Sequence, residues 1–166
     1  GPQQANAGIL CHRYGSATHS LNLQSDGAQL SYIWNGAYSS WNSSLFPPSD
    51  QWSYVAVSVS ADRAVLCLYD GTTWQTAVNT ASHTAASFTV PMLIGWDDVF
   101  NPNSVDRLFN GLIDETAVYG KALTEGQLHS HALAAFASAS APAFVFDPPV
   151  ASPSANVMAG TAFTLA

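Results

Sequence analysis

The sequence predicts an all-β antiparallel sandwich that closes with one short α-helix. In residues 55–59 valine alternates with alanine or serine, the period of two that indicates a half-buried strand. A second apolar run at 65–69 follows a turn at 61–63 and ends at Asp70-Gly71, a strong hairpin signal. Hydrophobic residues make up 48% of the chain and charged residues 9%, a composition that suits many short strands joined by polar turns.

Three short strands precede a long loop in the first third of the chain. They are separated by glycine-containing turns and cover residues 9–13, 20–24 and 29–34. The loop that follows spans residues 35–51, where Pro47-Pro48 opposes strand pairing because proline lacks an amide hydrogen.

The second half of the chain continues the strand pattern. A strand is predicted at 74–78, and residues 88–90 lead into another strand that begins at Leu93. Residues 112–119 then alternate as a strand does, and Gly120 ends that run.

The predicted helix begins just after Thr124. Thr124 suits an N-cap, and Gln127 at the third helical position can complete a capping box with it. Apolar residues then recur at helical spacing, at Leu128, Ala132, Leu133 and Phe136.

Two stretches carry a resemblance to a known family. Residues 109–136 join a strand, a turn and a helix, and residues 52–71 place a tryptophan before a hairpin that ends in Tyr-x-Gly. Together with Leu93-Ile94-Gly95 they resemble the laminin-G-like jelly roll, a concanavalin A-like lectin/glucanase sandwich, over roughly residues 9–136. The resemblance implies an antiparallel jelly-roll sandwich with Trp52 in its core. It does not select one function, because this fold hosts lectins, adhesion modules and hydrolases.

Three parts of the chain are expected to differ in character. Residues 1–8 are expected to be an expression-vector remnant or a disordered start, and residues 9–137 the sandwich domain. Residues 138–166 are expected to form an Ala/Ser/Pro linker and the start of an immunoglobulin-like segment. The resemblance also implies further strands upstream of the sandwich. Without them we expect an open sheet edge, which the tail strands at 144–146 and 161–165, a second copy in a homodimer, or a separate complementing chain would cover.

Charge limits the partners that the chain can take. The net charge is −7 with only four basic residues, which repels phosphate backbones and disfavours nucleic acid. No apolar run approaches the ~20 residues that a membrane-spanning helix needs, so we expect no membrane insertion. A secreted or cell-surface protein of bacterial type fits this modular pattern. Cys11 and Cys67 leave two interpretations open, buried thiols or a disulfide between strands.

Aromatic residues in or beside turns predict carbohydrate binding. Indole and phenol rings stack on the C–H faces of sugars while nearby polar groups bond the hydroxyls. The alternative is that these rings only pin the loops onto the sandwich. The predicted carbohydrate-binding residues are Trp41, Trp74, Trp96, Tyr38, Asn35 and Asp97.

A polar loop predicts a calcium site, the only cofactor expected here. Carboxylate and amide oxygens in an irregular loop are the ligands that Ca²⁺ takes, although Asx turns use the same residues. The predicted ligands are Asp97, Asp98, Asn101, Asn103 and Asp106.

Acidic residues give only weak support for an enzyme. Asp114 and Glu115 are adjacent, so on one strand they would point to opposite faces and could not form a retaining pair. A structural role is favoured for Asp114, bonding backbone near the closing turn. His129 and His131 are two apart on the helix, so they do not share a face for zinc, and we expect both to be solvent-exposed. The leading hypothesis is a non-catalytic carbohydrate-binding or adhesion module, with a polysaccharide-acting hydrolase or a structural spacer as alternatives.

Overall fold

The computed structural model describes residues 2–14, 17–97 and 106–137, which form two antiparallel sheets and one helix. One sheet has four strands in the order β3-β2-β1-β7, and the other has three in the order β4-β5-β6. The all-β sandwich prediction is confirmed. Within these residues no helix has the length and hydropathy needed to cross a bilayer. The elements are β1 Gly8–His12, β2 His19–Leu23, β3 Leu30–Ile33, β4 Tyr54–Val59, β5 Ala64–Tyr69, β6 Trp74–Asn79, β7 Leu93–Ile94 and α1 Glu125–Ala137.

The main core lies between the two sheets. Leu21 and Tyr32 from the four-stranded sheet and Leu66 and Leu68 from the three-stranded sheet are all buried in one cluster. The long loop adds Leu45, which is 4% exposed, and its backbone bonds Leu30. Strand alternation therefore sends one side chain in two to this core and the others to the outer faces.

The helix covers the outer face of the three-stranded sheet. Leu128 packs against Val65 and Cys67, which alternate with the core-facing leucines of β5. The predicted capping box is confirmed, since Gln127 N donates to Thr124 Oγ1 (3.3 Å) and Thr124 N donates to Gln127 Oε1 (2.9 Å).

The end of the helix is fitted to the β5–β6 turn. Gly71 has φ +92°, and a Cβ there would lie 2.8 Å from the Phe136 ring. The turn therefore uses glycine both for its backbone conformation and for the close approach of Phe136.

The predicted strand at 112–119 is wrong. These residues form no ladder, and the side chain of Leu112 is 79% exposed. Glu115 has φ +49°, which interrupts an extended chain at its middle. The segment that follows residue 119 contacts β4 through one side-chain hydrogen bond, in which Ser58 Oγ donates to Leu123 O (2.7 Å).

One other expectation needs correction. Trp52 is 51% exposed and lies two residues before β4, so it does not occupy the core. Residues 88–90 lead towards β7 without pairing as a strand, and the amides of Thr89 and Val90 bond His12 Nε2 at 3.0 and 3.2 Å.

Residues 2–8 pack onto the fold, so the alternative of a disordered start does not hold for them. Ala7 is fully buried, and Gly8 opens β1. The amide side chains of Gln3 and Gln4 bond the backbone of Asn110 and Leu108, which ties this segment to the chain after β7. The linker and tail strands predicted at 138–166 lie outside the described residues.

The disulfide interpretation is wrong. Cys11 and Cys67 are both free and buried, one in each sheet. Burial raises the pKa of each thiol to about 12. Both therefore behave as small buried side chains.

Candidate functional site

The predicted carbohydrate-binding residues lie in three separate places. Tyr38 and Trp41 turn inward onto Tyr32, with ring centroids 5.7 Å away in both cases. Asn35 Nδ2 donates to Thr84 Oγ1 (2.6 Å), which fastens the same loop to the segment after β6. These three residues therefore hold the long loop against the sandwich.

Trp74 lies on the other sheet, beside the helix. Its ring centroid is 4.6 Å from that of His129, and its Nε1 donates to Glu125 Oε1 (3.3 Å). Trp74 is half-buried beside the start of α1, with the Tyr54 ring centroid 6.4 Å away. The ring contact with Trp74 leaves His129 half-buried, against the expectation that it would be exposed.

Trp96 and Asp97 are consecutive but point to opposite faces. Trp96 is half-buried, and its Nε1 donates to the backbone carbonyl of Asp106 (3.1 Å). Asp97 is fully buried on the side of Cys11, whose pKa it helps to raise. The alternation of an extended chain separates these two residues, so they do not form one binding face.

Two arginines share the buried carboxylate of Asp97. Arg13 donates from Nε to Oδ1 and from its terminal nitrogen to Oδ2, each at 2.6 Å. Arg107 donates to Oδ2 at 2.8 Å. These are charge-assisted bonds, and the Arg13 pair is bidentate. They fix β1 to the segment that follows β7.

A polar groove adjoins this ion pair on the outer face of the four-stranded sheet. It has a volume of about 260 Å³. Its described lining is mostly polar, with Ile33 as the one large apolar side chain. Asn22 Oδ1 accepts a hydrogen bond from Ser20 Oγ (3.0 Å). Its lining includes Asn6, Arg13, Asn22, Ile33, Ser39 and Arg107.

The sequence analysis missed this arginine-lined groove. Arg13 and Asp97 are 84 positions apart, so no local motif joins them. The one available signal was the small number of basic residues, because a chain with only four of them is expected to place each one in a specific interaction.

The predicted calcium ligands are only partly described. Asp98, Asn101 and Asn103 lie outside the described residues. Both oxygens of Asp97 are engaged by guanidinium groups, which competes with any metal at that carboxylate. In residues 2–14, 17–97 and 106–137 no three His, Cys, Asp or Glu side chains gather as a metal would need. The calcium site stays a prediction.

The predicted acidic residues lie apart from the groove's lining. Asp114 is exposed, and its Oδ1 accepts the amide of Glu115 at 3.0 Å. Asp114 does bond the backbone, as its favoured structural role requires. Desolvation, followed by the charge of Asp114, raises the pKa of Glu115.

A cluster of buried histidines lies at one end of the core. His83 Nε2 is 2.8 Å from the Tyr32 hydroxyl, which also accepts Asn79 Nδ2 at 2.7 Å and therefore donates to the imidazole. His19 Nδ1 accepts the amide of Asn35 (3.2 Å). Burial lowers the pKa of His19 and of His83. The cluster is therefore structural and sensitive to acid.

One comparison with known proteins gives a match. The sequence model of a laminin-G-type family, described as the concanavalin A-like lectin/glucanases superfamily, matches residues 2–129. No curated protein and no solved structure matches the chain.

Proposed function

The chain belongs to the concanavalin A-like lectin/glucanase superfamily, and from that premise we propose that it is a non-catalytic carbohydrate-binding module of a secreted modular protein. Laminin-G-like domains are typically extracellular, which supports the location. The proposal also covers an adhesion module that uses its carbohydrate-binding surface.

One observation carries the proposal: Trp74 and Trp96 are half-buried indoles whose Nε1 atoms are already bonded. Such a bond orients a ring before ligand arrives, which lowers the entropy cost of binding. An oriented indole face can stack on the C–H face of a sugar. Tyr38 and Trp41 lie elsewhere and pack on the core, so they are not part of the proposed stacking surface.

A glycan array with and without calcium tests the proposal. Trp74→Ala and Trp96→Ala are each compared with Trp41→Ala. By analogy with other stacking platforms, the variant that removes the true platform loses ~1–3 kcal/mol of binding. Trp41→Ala is expected to lower stability and to leave glycan affinity unchanged. Parent-like binding by both Trp74→Ala and Trp96→Ala would overturn stacking.

The array also separates the alternatives. A hydrolase would release sugar from polysaccharide, whereas a structural spacer would bind no glycan. Calcium is proposed as the cofactor at the loop between Asp97 and Asp106. Because a ligand of the folded state raises its stability by mass action, millimolar calcium should raise the Tm relative to chelator.

The edge of β4 is proposed as an assembly site. Among the described residues β4 pairs only with β5, so one row of its backbone groups has no strand beside it. An edge of this kind can recruit a strand from the tail, from a second copy or from another chain. Deleting residues 142–166 should cause aggregation or loss of fold. Sedimentation that shows a stable, unchanged monomer would contradict this.

A further inference from the structure

The positive charge of this chain is concentrated at one point. Only four basic residues oppose eleven acidic ones, yet two of the four, Arg13 and Arg107, meet at Asp97. Asp97 is fully buried and carries one negative charge against two positive charges. Counted over these three side chains, the ion pair carries one excess positive charge in a chain whose net charge is −7.

Arg107 exceeds what the buried carboxylate requires. Arg13 alone neutralises Asp97 and donates to both of its oxygens. Arg107 adds one bond at 2.8 Å, and its side chain is 28% exposed against 13% for Arg13. The second guanidinium is thus bonded to Asp97, lines the groove and is partly exposed to solvent.

The groove beside Arg107 is polar and small. Its described lining contains two arginines and amide and hydroxyl side chains, without a carboxylate. A volume of about 260 Å³ corresponds to roughly nine water molecules at about 30 Å³ each. That space suits one sugar ring, and Asn6 and Ser39 are of the types that bond hydroxyls. Asn22 is 1% exposed and both ends of its amide are already bonded, so it does not serve as a ligand group.

We propose that this groove binds a saccharide unit that carries a single carboxylate, as a uronic acid does. This proposal rests on the proposed carbohydrate-binding function and names the charge class of its ligand. A planar guanidinium matches a carboxylate in shape and donors. One excess positive charge pairs with one negative charge, whereas a dense polyanion would meet the repulsion of the whole acidic chain. At physiological salt that long-range repulsion is screened beyond about 8 Å, so the local charge dominates for a monoanion.

The test uses one pair of ligands and one pair of variants. The ligands are a neutral oligosaccharide that carries one terminal uronic acid and the same oligosaccharide with that carboxyl group reduced to an alcohol. The variants are Arg107→Gln, which keeps an amide donor for Asp97, and Arg63→Gln, which removes an exposed arginine from the β4–β5 turn. Binding is measured by calorimetry at low and high salt, with inorganic sulfate as a separate probe.

The expected result is preference for the acidic oligosaccharide by about tenfold or more, the size of one charged hydrogen bond. Arg107→Gln should abolish that preference, and Arg63→Gln should keep it. Equal affinity for both oligosaccharides, or parent-like binding by Arg107→Gln, would overturn this inference and leave the proposed function intact. If no saccharide binds, the proposed function itself fails. Sulfate binding that depends on Arg107 without saccharide binding would show a simple anion site and would overturn the sugar assignment.

Discussion

The two outer faces of the sandwich are built from the same alternation but are covered in opposite ways. On the three-stranded sheet the outward residues of β5, Val65 and Cys67, are apolar and are sealed by Leu128 of the helix. On the four-stranded sheet, outward residues such as Asn22 are polar and bond one another beneath two arginines. The apolar face is stabilised by burial against the helix, whereas the polar face is stabilised by hydrogen bonds among its own groups, with Asn22 only 1% exposed. The first face is therefore closed by a helix, and the proposed ligand groove lies on the second.

Asp97→Asn is expected to have the largest effect, because it removes the charge that holds the polar face together. Breaking a buried ion pair costs about 3–5 kcal/mol, and two guanidinium groups would then repel each other. Urea denaturation measures the change in the free energy of unfolding. Asp62→Asn, at an exposed turn, is the control and should leave stability nearly unchanged. A loss below about 1 kcal/mol at Asp97 would mean that the face does not depend on this carboxylate.

Leu128→Ala tests the apolar face. Leu128 is 4% exposed, and truncating a buried leucine costs about 3 kcal/mol through lost transfer energy and a residual cavity. Leu133 lies on the same helix and is 47% exposed, so Leu133→Ala is the matched control. Equal losses in the two variants would indicate that the helix is not anchored through Leu128.

Thr124→Ala should weaken the same face at the helix N-terminus. Losing an N-cap hydroxyl costs about 1 kcal/mol, because the amide of Gln127 loses its partner. Ser130→Ala is the control, since Ser130 Oγ only donates to a carbonyl one turn back, that of Gly126. The Tm of each variant is measured by thermal unfolding. Identical Tm values for the two variants would mean that the capping box does not stabilise the helix.

Acid should weaken the core that both faces share. The pKa values of His19 and His83 are lowered in the folded state, so the unfolded chain binds protons more readily. Stability is then complete above pH ~6.5 and falls as pH drops below that value. Denaturation between pH 7 and pH 5 measures the slope before most carboxylates titrate. His83→Gln should flatten the slope, and a parent protein with no slope would refute the histidine effect.

The sequence predicted what depends on neighbouring residues. The β4–β5 hairpin and the Thr124–Gln127 capping box follow from local spacing, and both are present. The failures came from tertiary context. The alternation at 112–119 gave no warning of the positive φ at Glu115. Trp52 also lacks any local sign that it lies outside the core.

The candidate site was predicted less well than the fold. Aromatic residues near turns were identified, but sequence position could not say that Tyr38 and Trp41 point inward. The Arg13–Asp97–Arg107 cluster was missed because it joins distant parts of the chain. The sequence does not show which distant segments lie side by side in the folded sheets, and that information was needed to find the site.

Each outer face covers one buried cysteine, so the rate of thiol alkylation can be followed separately for the two faces. Cys11 lies beneath the arginines and Cys67 beneath the helix, and burial raises the pKa of both thiols to about 12. Because alkylating reagents react with thiolates, the closed protein resists labelling at neutral pH. Labelling of Cys11 then reports opening of the layer that carries Arg13 and Arg107, and labelling of Cys67 reports release of the helix. A single alkylation time course, resolved by peptide mass, therefore ranks the two layers by how often each one opens.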